Sequence, residues 1–496
     1  MANLLTDKAF RVRRRDGSLE YAGIREILTS DEYVAVEQHL SDASFYAVVF
    51  LIMVLQTRLA PENNDVLRER FQKPMTGDEV DVFLADNADL FEIFGDHPVF
   101  QDRRDIDENK VEVQDLFMRY PSGTQYTQFG SKDMVRQVCP YCAALALYMR
   151  LHGSFSGRGY LGGYYDEAMM VMLHDENLRR KLWLNVVPME KWMSVTPTSG
   201  NNNEPHWFDP IDIFKEEDPS LLRATFLLPS QILLDPVDEQ GQCDCCGRES
   251  DVLVKEFYKR PIVHDKRGKA LSKEQAEKAG VRLKIERQGK YVHPLAVRKK
   301  KDGVLSYVKA NRGWTWGTVA NVLSYKGYSI CKPLPIENGN HNLIGRGSEV
   351  RHLVLGGYII EKNAYKFCRF DSVSLHHSFI DGEMGDRFYD LMEVMKKTLA
   401  SFKGAVYNRD PQKVSFDSTA GLRSRLEPLV SSVILMDAEV WEEKGADMRR
   451  EFTANVADAV GDFLASSRTN DPGRRMKAIR RVTGTLNREW KSIFGE

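Results

Sequence analysis

The segments Cys139-Pro-Tyr-Cys142 and Cys243-Asp-Cys-Cys246 are two cysteine pairs with the same C-x-x-C spacing, although they lie far apart in the chain. Each pair can bring two thiolates onto one ion, and four thiolates form the closed tetrahedral site that is typical of structural Zn²⁺. Because a closed site has no open position for a substrate, we expect a structural rather than a catalytic metal. Such a site would link two distant parts of the chain and fix the loops beside them.

Two alternatives stay open for these cysteines. The two pairs could be unrelated buried thiols, and Cys245 could replace Cys243 or Cys246 as a ligand. The remaining cysteines, Cys331 and Cys368, stand alone in the sequence and are expected in the core. Paired thiols in a chain without an export signal suit a reducing compartment, so we expect a cytoplasmic protein.

The composition predicts a soluble globular protein. Of 496 residues, 42% are hydrophobic and 28% are charged, and the formal net charge is −2. A nearly neutral chain has no general attraction for nucleic acid, so a nucleic-acid site would have to be local. The longest apolar run, Phe45–Leu55, is too short to cross a bilayer and predicts a buried helix, so no membrane partner is expected.

The predicted fold class is α+β, with a large mixed α/β domain over residues 1–375 and a four-helix bundle over residues 376–496. In the first part, helical stretches alternate with short strand-like runs, which are Ala9–Arg13, Ala224–Leu228 and Val304–Val308. In the second part, apolar residues recur at helical spacing, beginning with Phe388, Leu391, Met392, Met395, Leu399 and Phe402. The last helix is predicted to begin near Asp471-Pro472 and to bury Met476, Ile479, Leu486, Trp490 and Ile493. Helices that each have one apolar face can satisfy one another as a bundle.

Other short motifs accompany the cysteine pairs along the chain. They are Asn3-Leu-Leu-Thr-Asp7, Val12-Arg-Arg-Arg-Asp-Gly17, Glu92-Ile-Phe-Gly-Asp-His-Pro-Val-Phe-Gln101, Cys243-Asp-Cys-Cys-Gly-Arg-Glu-Ser250 and Gly356-Gly-Tyr358. In their order and spacing over nearly the full length, these motifs and the helical ending resemble the CasA family. The members of this family are the large subunits of the type I-E Cascade, an RNA-guided CRISPR surveillance complex.

The resemblance implies a binding subunit rather than an enzyme. A protein of this family recognises a short protospacer-adjacent motif on double-stranded DNA and helps the guide RNA to open the duplex. It also contacts the 5′ handle of the guide RNA and the other Cascade subunits, and it recruits a separate helicase-nuclease. Base pairing reads most of the target sequence in such complexes, while the protein reads the short flank.

The resemblance implies two loops that approach nucleic acid. One is the glycine loop His152–Gly163, in which the candidate contacts are Gly153, Ser154, Gly157 and Gly159. Glycine lets the backbone approach the floor of the minor groove without a Cβ clash. The other loop, Tyr120–Ser131, contains Phe129, which matches an aromatic residue directed toward the guide and the flanking motif. The alternatives are an ordinary solvated loop and an aromatic side chain packed into the core.

A lysine finger and a wedge complete the elements that the resemblance implies. The finger falls at Lys259 or Arg260, where a cation could enter the electronegative minor groove. The wedge lies at a hairpin tip, where Lys362 with Asn363, or Asn363 with Ala364, would split the first base pair. The alternatives are a plain surface Lys-Arg pair and a plain hairpin turn.

One stretch of the chain is locally basic. Residues 255–312 contain 18 Lys and Arg against 6 Asp and Glu. The densest run is Arg298, Lys299, Lys300 and Lys301. On a nearly neutral protein this run suggests a track for DNA phosphates, and the alternative is a solvated insertion.

A second function class is a metal-dependent nucleic-acid hydrolase. His376 and His377 precede three carboxylates, Asp381, Glu383 and Asp386, and such a set could bind a metal and activate water. The same carboxylates also suit the start of a helix, where they complement its dipole. The sequence has no P-loop lysine motif, H-E-x-x-H or G-x-S-x-G, so the binding subunit is the preferred interpretation.

Overall fold

The structure is a computed structural model. It describes residues 2–103, 110–117, 119–120, 134–153, 168–195, 204–205, 207–208, 221–226, 228, 231–260, 293–301, 304–308, 310, 316–324, 329–331, 350–361, 364–380, 383–407, 420–465 and 471–495.

The chain divides into two compact units. The first comprises Met1–Arg312, Pro333–Leu343 and Leu353–Ser372, and the second comprises Gly313–Lys332, Ile344–His352 and Val373–Glu496. The predicted combination of helices and strands is confirmed. The division into domains at residues 375 and 376 stays a prediction.

Strands and helices alternate through the first unit, and helices dominate the second. The strands are β1 Phe10–Arg14, β2 Leu19–Ala22, β3 Tyr33–Val36, β4 Lys110–Glu112, β5 Met170–His174, β6 Gln231–Val237, β7 Gly241–Gln242, β8 Glu249–Ser250, β9 Leu253–Arg260, β10 Arg298–Lys301, β11 Val304–Tyr307, β12 Ser329–Cys331, β13 Val350–Glu361 and β14 Ala364–His376. The helices are α1 Ile24–Thr29, α2 Ser41–Arg58, α3 Asn64–Gln72, α4 Gly77–Asn87, α5 Pro140–Gly153, α6 Leu178–Leu184, α7 Met189–Val195, α8 Leu221–Thr225, α9 Trp316–Leu323, α10 Glu383–Tyr407, α11 Ala420–Val433, α12 Ala438–Ala465 and α13 Pro472–Phe494.

Helix α2 is enclosed by the rest of the first unit. All its residues from Phe45 to Leu55 are buried, which confirms the helix predicted from this apolar run. A helix that is apolar on every side must be covered by other elements. The ring of Phe50 lies 5.2–6.5 Å from five other aromatic rings, those of Phe10, Phe91, Phe100, Tyr148 and Phe226. No described helix is long and apolar enough to span a membrane.

The first unit also contains small antiparallel sheets. Strand β1 pairs with β2 and β3, β9 pairs with β4 and β6, β7 pairs with β8, and β10 pairs with β11. The strands predicted near Ala9–Arg13 and Val304–Val308 are present as β1 and β11. The strand predicted at Ala224–Leu228 is wrong, because Ala224 and Thr225 end helix α8. A short apolar run does not distinguish a strand from a buried helical turn.

Helices α10 to α13 belong to the second unit. Helix α13 packs against α10 and α12, and α12 also packs against α11. On α10 the predicted stripe is buried at Phe388, Leu391, Met395 and Phe402. A closed four-helix bundle would require contacts of this kind, and the bundle itself stays a prediction.

Helix α13 begins where the sequence predicts. The carboxylate of Asp471 accepts hydrogen bonds from the N–H groups of Gly473 and Arg474 at 3.0 and 3.2 Å, with Pro472 in the first turn. One predicted core residue is wrong, since Met476 is 52% exposed. The buried stripe is instead formed by Ala478, Val482, Leu486 and Trp490. Met476 is two residues from Ala478, which places it about 200° around the helix from that stripe.

Candidate functional site

Four buried thiols meet at one point of the first unit. They belong to Cys139, Cys142, Cys243 and Cys246, and their Sγ atoms all lie within 4.8 Å of one another. The Sγ atoms of Cys139 and Cys246 are 3.8 Å apart, which is too far for a disulfide bond. Four sulfur ligands at about 2.3 Å from a tetrahedral zinc ion would lie roughly 3.8 Å from one another. The donor set and its spacing therefore fit Zn²⁺.

The first cysteine pair is positioned by the start of helix α5. Cys139 precedes Pro140, and the carbonyl of Cys139 accepts a hydrogen bond of 3.0 Å from the N–H of Ala143. Proline suits the first helical position because its missing N–H would have had no partner there. Residues three apart on a helical turn lie on one side, so Cys139 and Cys142 can share an ion.

The second pair lies in the turn between β7 and β8. The N–H of Cys243 donates to the carbonyl of Arg248, and the N–H of Gly247 donates to the carbonyl of Cys243, both at 2.8 Å. Gly247 has a φ of 78°, in the left-handed region where a side chain is disfavoured. This closed turn holds Cys243 and Cys246 on the same side.

Protein contacts join the two pairs independently of any ion. The carboxylate of Asp244 accepts from the N–H groups of Arg136 and Gln137 at 2.7 and 3.0 Å. The N–H of Asp244 donates to the carbonyl of Gln137 at 3.0 Å. Since the first pair begins two residues after Gln137, these bonds bring both pairs to one place.

Hydrogen bonding within the thiol group shifts the pKa values of its members in opposite directions. The hydrogen bond from Cys139, and then that from Cys142, lowers the pKa of both Cys243 and Cys246. By contrast, the hydrogen bond to Cys139 raises the pKa of Cys142. The hydrogen bond to Cys142 lowers the pKa of Cys139, but the hydrogen bonds to Cys243 and Cys246, together with burial, raise it overall, so only two of the four thiols are shifted toward the thiolate.

Cys245 is buried but is not among the four grouped thiols. The structure thus assembles the ligand set that contains Cys243 and Cys246, rather than a set in which Cys245 replaces one of them. Cys368 is half-buried, and its thiol donates to the carbonyl of Gly357 at 3.5 Å.

An arginine clamp lies beside the thiol group. The guanidinium of Arg248 lies over the rings of both Tyr21 and Tyr141, at 4.0 and 4.6 Å from their centroids. The hydroxyl of Tyr21 donates to the carbonyl of Cys246, and that of Tyr141 donates to the carboxylate of Asp7, both at 2.9 Å. Burial is the main cause that raises the pKa of both phenols to about 12, so both are protonated donors at neutral pH.

Few of the candidate DNA contacts can be placed. The residues that lie outside the described part of the chain are Phe129, Ser154, Gly157, Gly159, Lys362 and Asn363. Gly153 is the last residue of α5, and Ala364 is the first residue of β14. Lys259 and Arg260 end strand β9, which starts three positions after Ser250 at the end of β8. A single strand therefore connects the two finger positions to the second cysteine pair.

Described residues on either side of the segment that contains Phe129 are hydrogen-bonded to each other. The buried side chain of Gln114 accepts hydrogen bonds from the N–H groups of Met134 and Val135 at 2.8 and 3.2 Å. These bonds join the described residues before and after the segment. Val135 is four residues before Cys139, so these bonds lie beside the first cysteine pair in the chain.

Described residues next to the glycine loop, the basic run and the hairpin that carries the wedge also lie close together. The N–H of Met169, after the glycine loop, donates to the carbonyl of Val308 at 2.8 Å, and the carbonyl of Met169 accepts from Val297 at 2.9 Å. Val297 and Val308 flank β10 and β11. In the hairpin strand β13, a Cβ on Gly357 would lie only 2.8 Å from that of Ala310 and 3.8 Å from the Cα of Met169. Glycine alone permits this approach.

The basic run Arg298–Lys301 forms strand β10. It pairs antiparallel with β11, with Lys301 opposite Val304 and Arg298 opposite Tyr307. The run is thus part of a hairpin, and its contact with phosphates stays a prediction.

Two residues of the alternative hydrolase site, His376 and Asp386, are hydrogen-bonded within the protein, and Asp381 lies outside the described residues. His376 is 7% exposed, its backbone N–H donates to the carbonyl of Ile434, and its ring nitrogen lies 2.8 Å from the hydroxyl of Ser378. Asp386 accepts a hydrogen bond of 2.5 Å from Ser324. Within the described residues, the four cysteines are the group of His, Cys, Asp and Glu side chains close enough to hold an ion. Among the residues that the structure describes, no metal site is therefore assembled for the hydrolase hypothesis.

The same fold occurs in solved CRISPR proteins. Cse1 from Thermobifida fusca superimposes with a TM-score of 0.71 at 14% identity, covering 99% of this chain and 98% of that chain. CasA (Cse1) from Thermus thermophilus gives a TM-score of 0.64 at 14% identity, with 99% of each chain covered. A chain of a CRISPR RNA-guided surveillance complex gives 0.61 at 14% identity, covering 98% of this chain and 99% of that chain.

The family assignment comes from the sequence as well as from the fold. A sequence model of CRISPR-associated protein Cse1 matches residues 3–491. The chain therefore belongs to the CRISPR-associated Cse1 family, and the resemblance to CasA is confirmed.

Proposed function

We propose that this chain is the non-catalytic large subunit of a type I-E Cascade, and that it recognises the protospacer-adjacent motif on duplex DNA. The observation that carries the proposal is the family match over residues 3–491. A structural relative is a chain of a CRISPR RNA-guided surveillance complex, which supports assembly with the other Cascade subunits. The complex would act in the cytoplasm.

The four cysteines would hold a structural Zn²⁺ ion. The spacing of their sulfur atoms and the burial of all four thiols support this assignment. When bound, the ion supplies a crosslink rather than chemistry, since the four sulfurs leave no open position. Its role would be to fix the chain on either side of each cysteine pair.

Several loops would contact the nucleic acids. The proposed DNA contacts are Phe129, Gly153, Ser154, Gly157, Gly159, Lys259, Arg260, Lys362, Asn363, Ala364, Arg298, Lys299, Lys300 and Lys301. The glycine loop and the finger would enter the minor groove, where backbone and cations can approach closely. Phe129 would also stack near the 5′ handle of the guide RNA.

The hairpin tip would help to open the duplex. Inserting side chains beside the first base pair costs a few kcal/mol of unstacking, which pairing between guide and target offsets. After opening, the subunit would recruit the helicase-nuclease. The helices after residue 376 would form the four-helix bundle domain, separate from the mixed domain of residues 1–375.

The proposal is tested by reconstituting the complex with the other subunits and a guide RNA. Binding to duplexes with a preferred or an altered flank is compared for the wild type and for Lys259→Ala combined with Arg260→Ala. We expect the double variant to lose most of the preference between flanks. Lys255→Ala is the matched control, because Lys255 lies on the same strand and pairs with Glu239 at 2.5 Å.

An unchanged flank preference in the double variant would count against Lys259 and Arg260. The hydrolase alternative is tested on the isolated chain with Mg²⁺ or Mn²⁺. Steady cleavage of nucleic acid that is lost in His377→Ala would favour that alternative, whereas the proposal expects no cleavage.

A further inference from the structure

We propose that Arg248 couples metal binding at the four cysteines to the position of the N-terminal segment, which we define as residues 3–8. Arg248 acts here as a positioning residue, because it contacts both the metal-binding turn and this segment. The inference rests on the zinc site of the proposed function and is independent of how DNA is read.

On the metal side, Arg248 belongs to the turn that carries two of the ligands. The carbonyl of Arg248 accepts the hydrogen bond from the N–H of Cys243. The shape of the turn therefore determines the position of the Arg248 backbone, from which its side chain extends. Tyr21 is held by the same turn, through its hydroxyl bond to the carbonyl of Cys246. An ion bound to Cys243 and Cys246 would therefore fix both Arg248 and one of the two rings over which it lies.

On the other side, the clamp holds the N-terminal segment. The guanidinium of Arg248 donates to the carbonyl of Lys8 and also lies over the rings of Tyr21 and Tyr141. A planar guanidinium can stack with its faces and still donate from its edge. Tyr141 follows the ligand Cys139 by two residues and donates to the carboxylate of Asp7.

The N-terminal segment connects the clamp to residues 88 and 91 of the first unit. The carboxylate of Asp7 accepts from the N–H of Asn3 at 2.8 Å, which closes the segment on itself. The amide of Asn3 donates to the carbonyl of Ala88 at 2.8 Å, and the N–H of Leu4 donates to the carbonyl of Phe91 at 3.0 Å. Leu4 and Leu5 are fully buried and anchor the start of the segment, so loss of the ion would loosen the segment from its other end, at Asp7 and Lys8.

The test is hydrogen exchange measured by mass spectrometry on the full chain. Peptides covering residues 3–9 are followed in the zinc-loaded and chelator-treated wild type and in Arg248→Gln. In the wild type, we expect zinc removal to speed exchange of this segment about tenfold, the effect of two lost stacking contacts. The Arg248→Gln protein keeps its four sulfurs and its zinc, yet it should exchange at the zinc-free rate, and chelation should add nothing further.

Arg180→Gln is the matched control, because Arg180 lies over the ring of Phe71 at 5.8 Å and has no contact with the cysteines. It should leave residues 3–9 unchanged, and Arg248→Lys should be intermediate because it keeps a cation but loses the planar edge. Unchanged exchange in zinc-loaded Arg248→Gln overturns the coupling. An equal effect of chelation in the wild type and in Arg248→Gln overturns it as well.

Two further outcomes are decisive. If chelation also speeds exchange in β1 and β2, zinc removal loosens more than the N-terminal segment. In that case the exchange of residues 3–9 in zinc-loaded wild type and zinc-loaded Arg248→Gln alone decides whether the coupling exists. If the purified wild type contains no zinc, the zinc site and the coupling fail together, and the proposed reading of DNA is unaffected.

Discussion

Val138 and Val254 exchange two backbone hydrogen bonds, at 3.0 and 2.8 Å. The residue before the first cysteine pair is thereby fixed to the strand that follows the second pair. The polypeptide itself brings the four thiols together, and an ion would stabilise an arrangement that the backbone already favours. The same contact ties the start of α5 to β9, the strand that ends at Lys259 and Arg260.

Replacement of one ligand tests the metal site. We expect Cys246→Ser to lose bound zinc and to lower the free energy of unfolding by at least about 4 kcal/mol, as is typical when a structural metal is lost. Metal analysis and urea unfolding measure the two effects. Cys245→Ser is the control, since Cys245 is buried beside the ligands but outside their group, and full zinc content is expected there. If Cys245→Ser lost zinc and Cys246→Ser kept it, Cys245 rather than Cys246 would be the ligand.

Truncation of the central aromatic ring tests the core around α2. Phe50 is fully buried, and Phe50→Ala should cost about 3–5 kcal/mol because the neighbouring rings cannot fill the cavity. The measurement is urea unfolding followed by tryptophan fluorescence. Val82→Ala is the control, because Val82 is 62% exposed and should change stability by less than about 0.5 kcal/mol. A loss of stability for Phe50→Ala that is smaller than the loss for Val82→Ala would contradict the described core.

Lys181 gives a pH dependence with a definite sign. Burial lowers its pKa from 10.5 to about 8. Between those values the unfolded chain binds more protons than the folded chain, so stability rises as the pH increases through this window. Below about pH 8 both states are protonated, and the burial of the charge destabilises the fold to its full extent.

Lys181→Met removes the buried charge. We expect the variant to be more stable than the wild type at pH 7, by about 1–3 kcal/mol, and the difference to shrink toward pH 10.5. Urea unfolding at several pH values measures the difference directly. Lys73→Met, at an exposed lysine just after α3, should show no such convergence. A stability difference for Lys181→Met that grows with pH would reverse the assigned sign.

Neutralising the basic strand tests the proposed phosphate track. Lys299→Gln combined with Lys300→Gln should weaken DNA binding of the reconstituted complex for every target sequence, because phosphate contacts carry no sequence information. The slope of log affinity against log salt concentration should fall by about one for each lost contact. Lys255→Gln should leave the slope unaltered. An unchanged slope in the double variant would favour a solvated strand.

Some of the fold follows from local sequence. The Phe45–Leu55 run predicts a buried helix because no face of it is polar, and the Asp471-Pro472 pair predicts a helix start through capping chemistry. The ligand cysteines are recognisable because a metal turn needs two sulfurs three positions apart. Which side of a helix is buried is harder to predict, as Met476 illustrates. A helix rich in arginine has few apolar residues to define its buried face.

The rest depends on contacts between residues far apart in sequence. Nothing near Arg248 indicates that its guanidinium will lie over Tyr21 and Tyr141, because that pairing exists only after the cysteine pairs have met. The helical turn at Ala224 is likewise decided by the aromatic core around Phe226, which draws its rings from many elements. In the sequence, the segment Arg248-Glu-Ser after the second cysteine pair is the one feature that could have indicated a role for Arg248 in the clamp.

Reading of the DNA flank for an RNA-guided complex is the central role that we propose for this chain. Its most direct test is selection from duplexes that share one target sequence and carry randomised flanks, using the complex reconstituted with and without this chain. We predict that the complete complex enriches a short flanking motif and that the complex lacking this chain enriches none. Equal enrichment in both cases, or no enrichment by the complete complex, would contradict the account.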